Sequence, residues 1–167
     1  MDETKPNTEI VILSLGSNLG EKKENLLNAI NLLSSSGIIK DIVLSSIYIT
    51  EPVGVKEQGD FYNMALRGNT QHNPLELMML VKTIEYLMDR RFGLRWGERI
   101  IDVDILFYGN QILSTKNLNI PHNCLHERKF VLVPTSEIAK DFIHPIYNKT
   151  IIKLLEECKD KSSVVKL

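Results

Sequence analysis

Arg95-Trp96-Gly97-Glu98-Arg99-Ile100-Ile101-Asp102-Val103-Asp104 is the stretch around which the chain is organised. Two arginines and a tryptophan sit in a glycine-marked loop that runs into a β-branched segment. In a strand, side chains at i and i+2 share a face. Asp102 and Asp104 are therefore expected side by side on one face, with Ile101, Val103, Ile105 and Phe107 turned the other way into a core. Adjacent carboxylates repel unless something neutralises them. Mg²⁺ does this, taking one or two protein carboxylates together with substrate phosphates. Arg95 and Arg99 then suit phosphate oxygens, because a guanidinium fork matches them. The plain alternative is a solvated strand end with arginines paired to it.

Outward from this strand, the pattern sets the fold. Ile10 to Leu15 is nearly all apolar and reads as a buried first strand, broken by Gly16-Ser17-Asn18-Leu19-Gly20. Leu26, Ala29, Ile30 and Leu33 recur at helical spacing, which predicts a helix from about Glu21 to Ser35. Residues 42–50 read as a second strand and Phe61 to Asn69 as a third. Pro74 opens a second helix carrying Leu77, Leu80, Val81, Ile84, Leu87 and Met88. The Asp102–Asp104 strand follows. Strand, helix, strand, strand, helix, strand is the βαββαβ order of an α+β, ferredoxin-like core. It predicts an antiparallel sheet with both long helices on one face. The other face, carrying the aspartates, is left open or partly covered by C-terminal additions. Beyond Pro134 two short helical pieces are expected. Residues 1–8 and 159–167 are expected to be mobile tails of a single domain, 1–167.

Composition narrows the partners. Lys and Arg number 20, Asp and Glu 21, for a formal charge of −1. That balance gives no general attraction to nucleic acid or to an anionic membrane, so any anion site is local. Arg90, Arg91, Arg95 and Arg99 form such a cluster, either an anion site or a well-paired surface group. No run is long enough to span a membrane. Cys124 and Cys158 form no close-spaced metal or redox motif, and a reduced, cytoplasmic protein is expected. On the third strand, Phe61, Asn63 and Ala65 share one face. An aromatic beside an amide suits a flat heteroaromatic ligand, or else Phe61 is core and Asn63 caps a turn. The loops at 51–60 and 90–97 are long, polar and glycine-marked, as lids are.

These pieces resemble one family. Leu15-Gly16-Ser17-Asn18-Leu19-Gly20, Phe61-Tyr62-Asn63, Arg95-Trp96-Gly97-Glu98-Arg99 leading to Asp102-Val103-Asp104-Ile105-Leu106, Pro121-His122, and Arg128-Lys129-Phe130-Val131-Leu132-Val133-Pro134 occur in order from Ile10 to about Leu155. Together they are similar to the 6-hydroxymethyl-7,8-dihydropterin pyrophosphokinases of folate biosynthesis. The resemblance implies a transfer of the pyrophosphoryl group of ATP to the pterin hydroxymethyl oxygen, with AMP released. It implies that Asp102 and Asp104 hold two Mg²⁺ ions. Arg95, Arg99, His122 and Arg128 match positions that contact ATP, and Glu85 and Ile105 match positions lining its site. The pterin is expected between Phe61 and Phe130, with Asn63 on its polar edge and Gly16, Thr50 and Val53 along the wall. Trp96 is expected to close over the site. No protein partner is implied. Glu98 stands where the family usually carries proline, and Lys82 and Asn117 replace other polar groups near ATP. A ligand-binding module on the same fold, or another Mg²⁺-dependent transferase or nuclease, are the alternatives from other classes.

Overall fold

The computed structural model describes residues 8–52, 58–88 and 98–167. Its main sheet is antiparallel. The strands, in chain order, are β1 (Glu9–Ser17), β2 (Lys40–Leu44), β3 (Tyr48–Thr50), β4 (Phe61–Thr70) and β5 (Asp102–Tyr108). Helix α1 (Lys22–Ser35) follows β1, and α2 (Pro74–Leu87) follows β4. β1 lies between β4 and β5, while β2 and β3 both pair with β4 on its other side. This is the ferredoxin-like arrangement expected from the element order, with the second strand split in two. The split falls at Ser45, whose hydroxyl accepts the Ala65 N–H at 2.8 Å and whose N–H is given to the Ala65 carbonyl at 3.0 Å. The chain steps there without losing its hold on β4.

One face of the sheet is a continuous apolar layer. Val11, Leu13 and Leu15 of β1, Met64 and Leu66 of β4, and Val103 and Ile105 of β5 meet Leu26, Ala29 and Leu33 of α1 and Leu77, Val81 and Ile84 of α2. Helix α2 starts where the sequence places it. Pro74 sits in the first turn, and Asn73 and Glu76 form a reciprocal capping box.

The opposite face is half covered by α3 (Lys129–Ala139) and α4 (Ile151–Glu157), which pack on Ile12, Leu106 and Phe107. Three expectations are corrected by the structure. Phe107 faces this second layer, not the one holding Val103 and Ile105. The pairing steps from Leu13↔Ile105 to Ile12↔Phe107, so Leu106 is an extra residue and the alternation slips by one. Residues 159–167 are not a loose tail: Val164–Lys166 form a last strand of the main sheet, β6, that pairs antiparallel with β3 and extends the sheet. In addition, α3 begins at Lys129 and runs through Pro134, so the first C-terminal helix starts before that proline and not after it.

Candidate functional site

The uncovered half of the sheet's second face carries one cleft, and a second adjoins it around the β5 edge, between that strand and α2. The first is floored by Ser14 and Gly16 of β1, Asn63 of β4, and Asp102 and Asp104 of β5, with Phe61, Thr50 and Glu51 on one side and Arg128 and Phe130 on another. The second is larger, about 360 Å³ against about 100 Å³. Val81 and Lys82 of α2, Ile105 of β5, and Asn117, His122 and Asn123 of the following segment line it. Asp104 and Arg128 line both. The alternation of β5 places Asp102 and Asp104 on the open face as expected.

Asn63 is only 5% exposed. Its side-chain N–H is given to the Thr50 hydroxyl at 2.6 Å, which fixes the amide. Gly16 makes room for it: a Cβ there would lie 2.7 Å from Asn63 Oδ1. The glycine thus serves by small size, letting a buried amide rest on the β1 backbone.

Arg99 and Asp102 form an ion pair at 2.7 Å, with both side chains mostly shielded. Asn18 anchors this loop. Its Oδ1 accepts the Arg99 N–H at 2.8 Å, its N–H is given to the Arg99 carbonyl at 3.2 Å, and its amide donates to Gln58 at 3.1 Å. One residue after β1 therefore ties the approaches to two separate loops.

His122 follows Pro121, and its Nδ1 accepts the Cys124 N–H at 3.3 Å. A neutral ring that accepts at Nδ1 carries its proton on Nε2. Burial, then the Arg128 charge, push its pKa below the ordinary histidine value, with Lys82 adding to this and Asp102 opposing it. His122 is thus a neutral donor at pH 7. Glu85, expected along the ATP site, lies behind the wall of the second cleft. It is 2% exposed, accepts the Val103 N–H at 2.7 Å and pairs with Lys82 at 3.0 Å. A carboxylate so placed locks α2 to the strand that carries the aspartates.

Thus Gly16, Thr50, Phe61, Asn63, Arg99, Asp102, Asp104, Arg128 and Phe130 come together in the first cleft, and Ile105, His122 and Arg128 in the second. Val53, Arg90, Arg91, Arg95 and Trp96, with half of the first expected lid and all of the second, lie outside the described residues. Sequence reasoning missed Ser14, Glu51 and Gln58. Ser14 was within reach, since it lies two residues before Gly16 on the same strand face. Nothing local marks Gln58.

A family model described as 7,8-dihydro-6-hydroxymethylpterin-pyrophosphokinase (HPPK) matches residues 12–140. The chain belongs to this family. It is 40% identical over 131 residues to the 2-amino-4-hydroxy-6-hydroxymethyldihydropteridine pyrophosphokinase of Bacillus subtilis, covering 78% of each chain. It is 40% identical over 149 residues to the folic acid synthesis protein FOL1 of Dictyostelium discoideum, of which it spans only 22%. The crystal structure of Plasmodium falciparum HPPK-DHPS with pteroate has the same fold, with a TM-score of 0.72 at 18% identity over 93% of this chain and 44% of that one. No described helix is long and apolar enough to cross a membrane.

Proposed function

We propose that the chain transfers the pyrophosphoryl group of ATP to the 6-hydroxymethyl oxygen of 6-hydroxymethyl-7,8-dihydropterin, releasing AMP. The observation that carries this reading is the pair of unlike clefts meeting at Asp104 and Arg128. The first offers aromatic faces and a fixed amide, which suit a flat ring rich in donors and acceptors. Its ligand would lie between Phe61 and Phe130, with Asn63 at the polar edge and Gly16 and Thr50 behind. The second is lined by Lys82, His122 and Arg128, which suit a nucleotide and its phosphates. Arg95, Arg99, Ile105 and Trp96 complete the ATP contacts in this reading, with Glu85 supporting the wall and Val53 and Trp96 closing the pterin side.

The donor set fits Mg²⁺. Asp102 and Asp104 are hard oxygen ligands on one strand face, and among the described residues they join no cluster of three His, Cys, Asp or Glu that could form a self-sufficient metal cage. Mg²⁺ of this kind completes its shell with substrate phosphates and water. When bound, the two ions would neutralise phosphate charge and orient the chain of phosphoryl groups. The protein's own part is positioning. The pterin hydroxyl would be held toward the β-phosphorus. Its oxygen would bond there as its proton passes to water, and the bond from that phosphorus to the α–β bridging oxygen would break to give AMP. Arg99 and Arg128 would stabilise the charge that gathers on the oxygens, and His122 would donate Nε2–H.

The two unpaired cysteines, Cys124 and Cys158, suit a reducing, cytosolic setting. The substrates are small molecules, and no protein partner is needed for the chemistry. A nucleotide-product assay tests the reading: protein, ATP and Mg²⁺, with and without the pterin. Pterin-dependent AMP without ADP is expected. Pterin binding without turnover would leave a binding module, and neither would overturn the assignment.

A further inference from the structure

The family match ends at residue 140, yet the last residues of the chain hold the walls of the first cleft. Asp160 Oδ2 accepts the Lys129 N–H at 2.9 Å. Lys129 is the first residue of α3 and stands between Arg128 and Phe130, both of which line the cleft. The helix has no side-chain cap from its own N-cap residue, Arg128. An uncapped first turn leaves N–H groups without partners and tends to fray. Asp160 supplies the missing acceptor from outside, with a charge that favours the positive end of the helix. The carboxylate is itself fixed, since Oδ1 accepts the Ser162 N–H at 2.9 Å, and Lys129 Nζ donates back to the Ser162 carbonyl at 3.2 Å.

The same segment also holds the opposite wall. Val164 pairs with Thr50 in the β6–β3 ladder, and the Ser163 N–H is given to Glu51 Oε1 at 3.3 Å. Thr50 and Glu51 line the cleft, and Thr50 is the residue that fixes Asn63. β3 is three residues long and would be a bare sheet edge without β6. One wall is thus a helix end with no cap of its own, and the other is a three-residue strand. Asp160 to Lys166 ties the two together without entering the cleft.

We propose that residues 160–166 form a strap that sets the spacing of the pterin cleft, with Asp160 as a positioning residue acting through Lys129 on Phe130. This rests on the pyrophosphokinase reading above. No residue of the strap lines the second cleft, so its effect falls mainly on one substrate. Arg128, shared by the two clefts, passes a smaller effect to the nucleotide.

Steady-state kinetics of the full chain, wild type against Asp160→Ala and Asp160→Asn, tests this with melting temperature measured alongside. For Asp160→Ala, KM for the pterin rises about tenfold, the size expected from loss of an ordinary cap, while KM for ATP changes by less than about threefold. Asp160→Asn keeps an acceptor oxygen and recovers most of the loss. If Asp160→Ala proves too unstable to assay, Asp160→Asn carries the test, with a rise of about twofold to threefold in pterin KM from the missing charge. An unchanged pterin KM would overturn the strap, as would equal rises in both KM values with a lowered melting temperature. A wild-type chain that neither binds nor turns over the pterin would overturn the functional reading and the strap with it. Wild-type turnover with indifferent variants would overturn the strap alone.

Discussion

Ile12 and Gly16 stand on the same face of the same strand, four residues apart, and do opposite work. At Ile12 the face is sealed under α3 and α4, where Leu106, Phe107 and Leu132 close a core. At Ser14 and Gly16 it is open, and the neighbouring strands offer Asn63, Asp102 and Asp104. Side-chain size falls along β1 from isoleucine to serine to glycine as the surface changes from a packed layer to a floor for ligands. The bulge at Leu106 sharpens the border, turning Phe107 into the sealed half just beyond Asp104. The lesson is that a sheet face becomes a site when its residues stop filling the space above them and start offering polar groups that are already held in place.

The sealed half is where a truncation should damage stability alone. Phe107 is fully buried and packs on Phe142 at 4.7 Å and edge-on to His144 at 5.4 Å between ring centroids. Phe107→Ala should cost about 3–5 kcal/mol in urea unfolding. Folded protein that survives should keep its substrate affinities. A loss below about 1 kcal/mol would mean that this half is not a tight core.

In the open half the effect should reverse. Asp104→Asn should lower turnover about a thousandfold, since several kcal/mol of charge stabilisation go with the metal. Stability should hold or rise, because one of two adjacent carboxylates is gone. Asp102→Asn should lower turnover likewise, but with some loss of stability, because Arg99 loses its ion-pair partner. Full activity in either would place the metal elsewhere and break the contrast between the two halves.

The core fold was legible because its signals are local. Helical spacing marked α1 and α2, alternation put both aspartates on one face, and Pro74 marked a helix start. What was missed depends on distant partners. Phe107 turns over because of how β5 pairs with β1, and nothing within β5 announces the extra residue. Val164 and Val165 read as part of a polar tail until β3 is beside them. Glu85 entered only through the resemblance, and its hydrogen bond from Val103 N–H shows only in the folded chain. The candidate site was legible as residue types, but Asn18 shows its role only when Arg99 and Gln58 are brought to it.

The sealed half also holds a polar group, and pH probes it. His144 is 2% exposed, and its Nδ1 accepts the N–H of Ile146 and of Tyr147. Burial, then the nearby His126 charge, push its pKa down to about 4, against a backbone hydrogen bond that opposes the shift. As pH falls below the ordinary value of 6.5, the unfolded chain takes up a proton that the folded one refuses until about 4. Stability should therefore fall across that window by up to about 3 kcal/mol, at about 1.4 kcal/mol for each pH unit. His144→Asn keeps an acceptor and removes the titration. Unfolding midpoints of that variant should vary less between about pH 7 and pH 4.5 than those of the wild type. An unchanged slope would place the acid sensitivity in other groups.

The smallest change asks the most of the open half. Gly16→Ala adds one methyl group at ordinary backbone angles, so strain in the chain is not at issue. The new Cβ would lie 2.7 Å from Asn63 Oδ1, and the amide is held from its other end by Thr50 at 2.6 Å. Asn63 cannot swing clear without giving up that hydrogen bond. Pterin binding should weaken by about 1–3 kcal/mol, the cost of polar groups left without their partners. ATP-analogue binding should be unchanged, because Gly16 borders only the first cleft. Isothermal titration with each ligand separates these outcomes. If the pterin bound as before, Asn63 would be packing and not recognition, and the open half would owe its chemistry to the aspartates and arginines alone. If both ligands weakened together, the two clefts would be one mechanical unit, and the border now drawn at Asp104 and Arg128 would have to move.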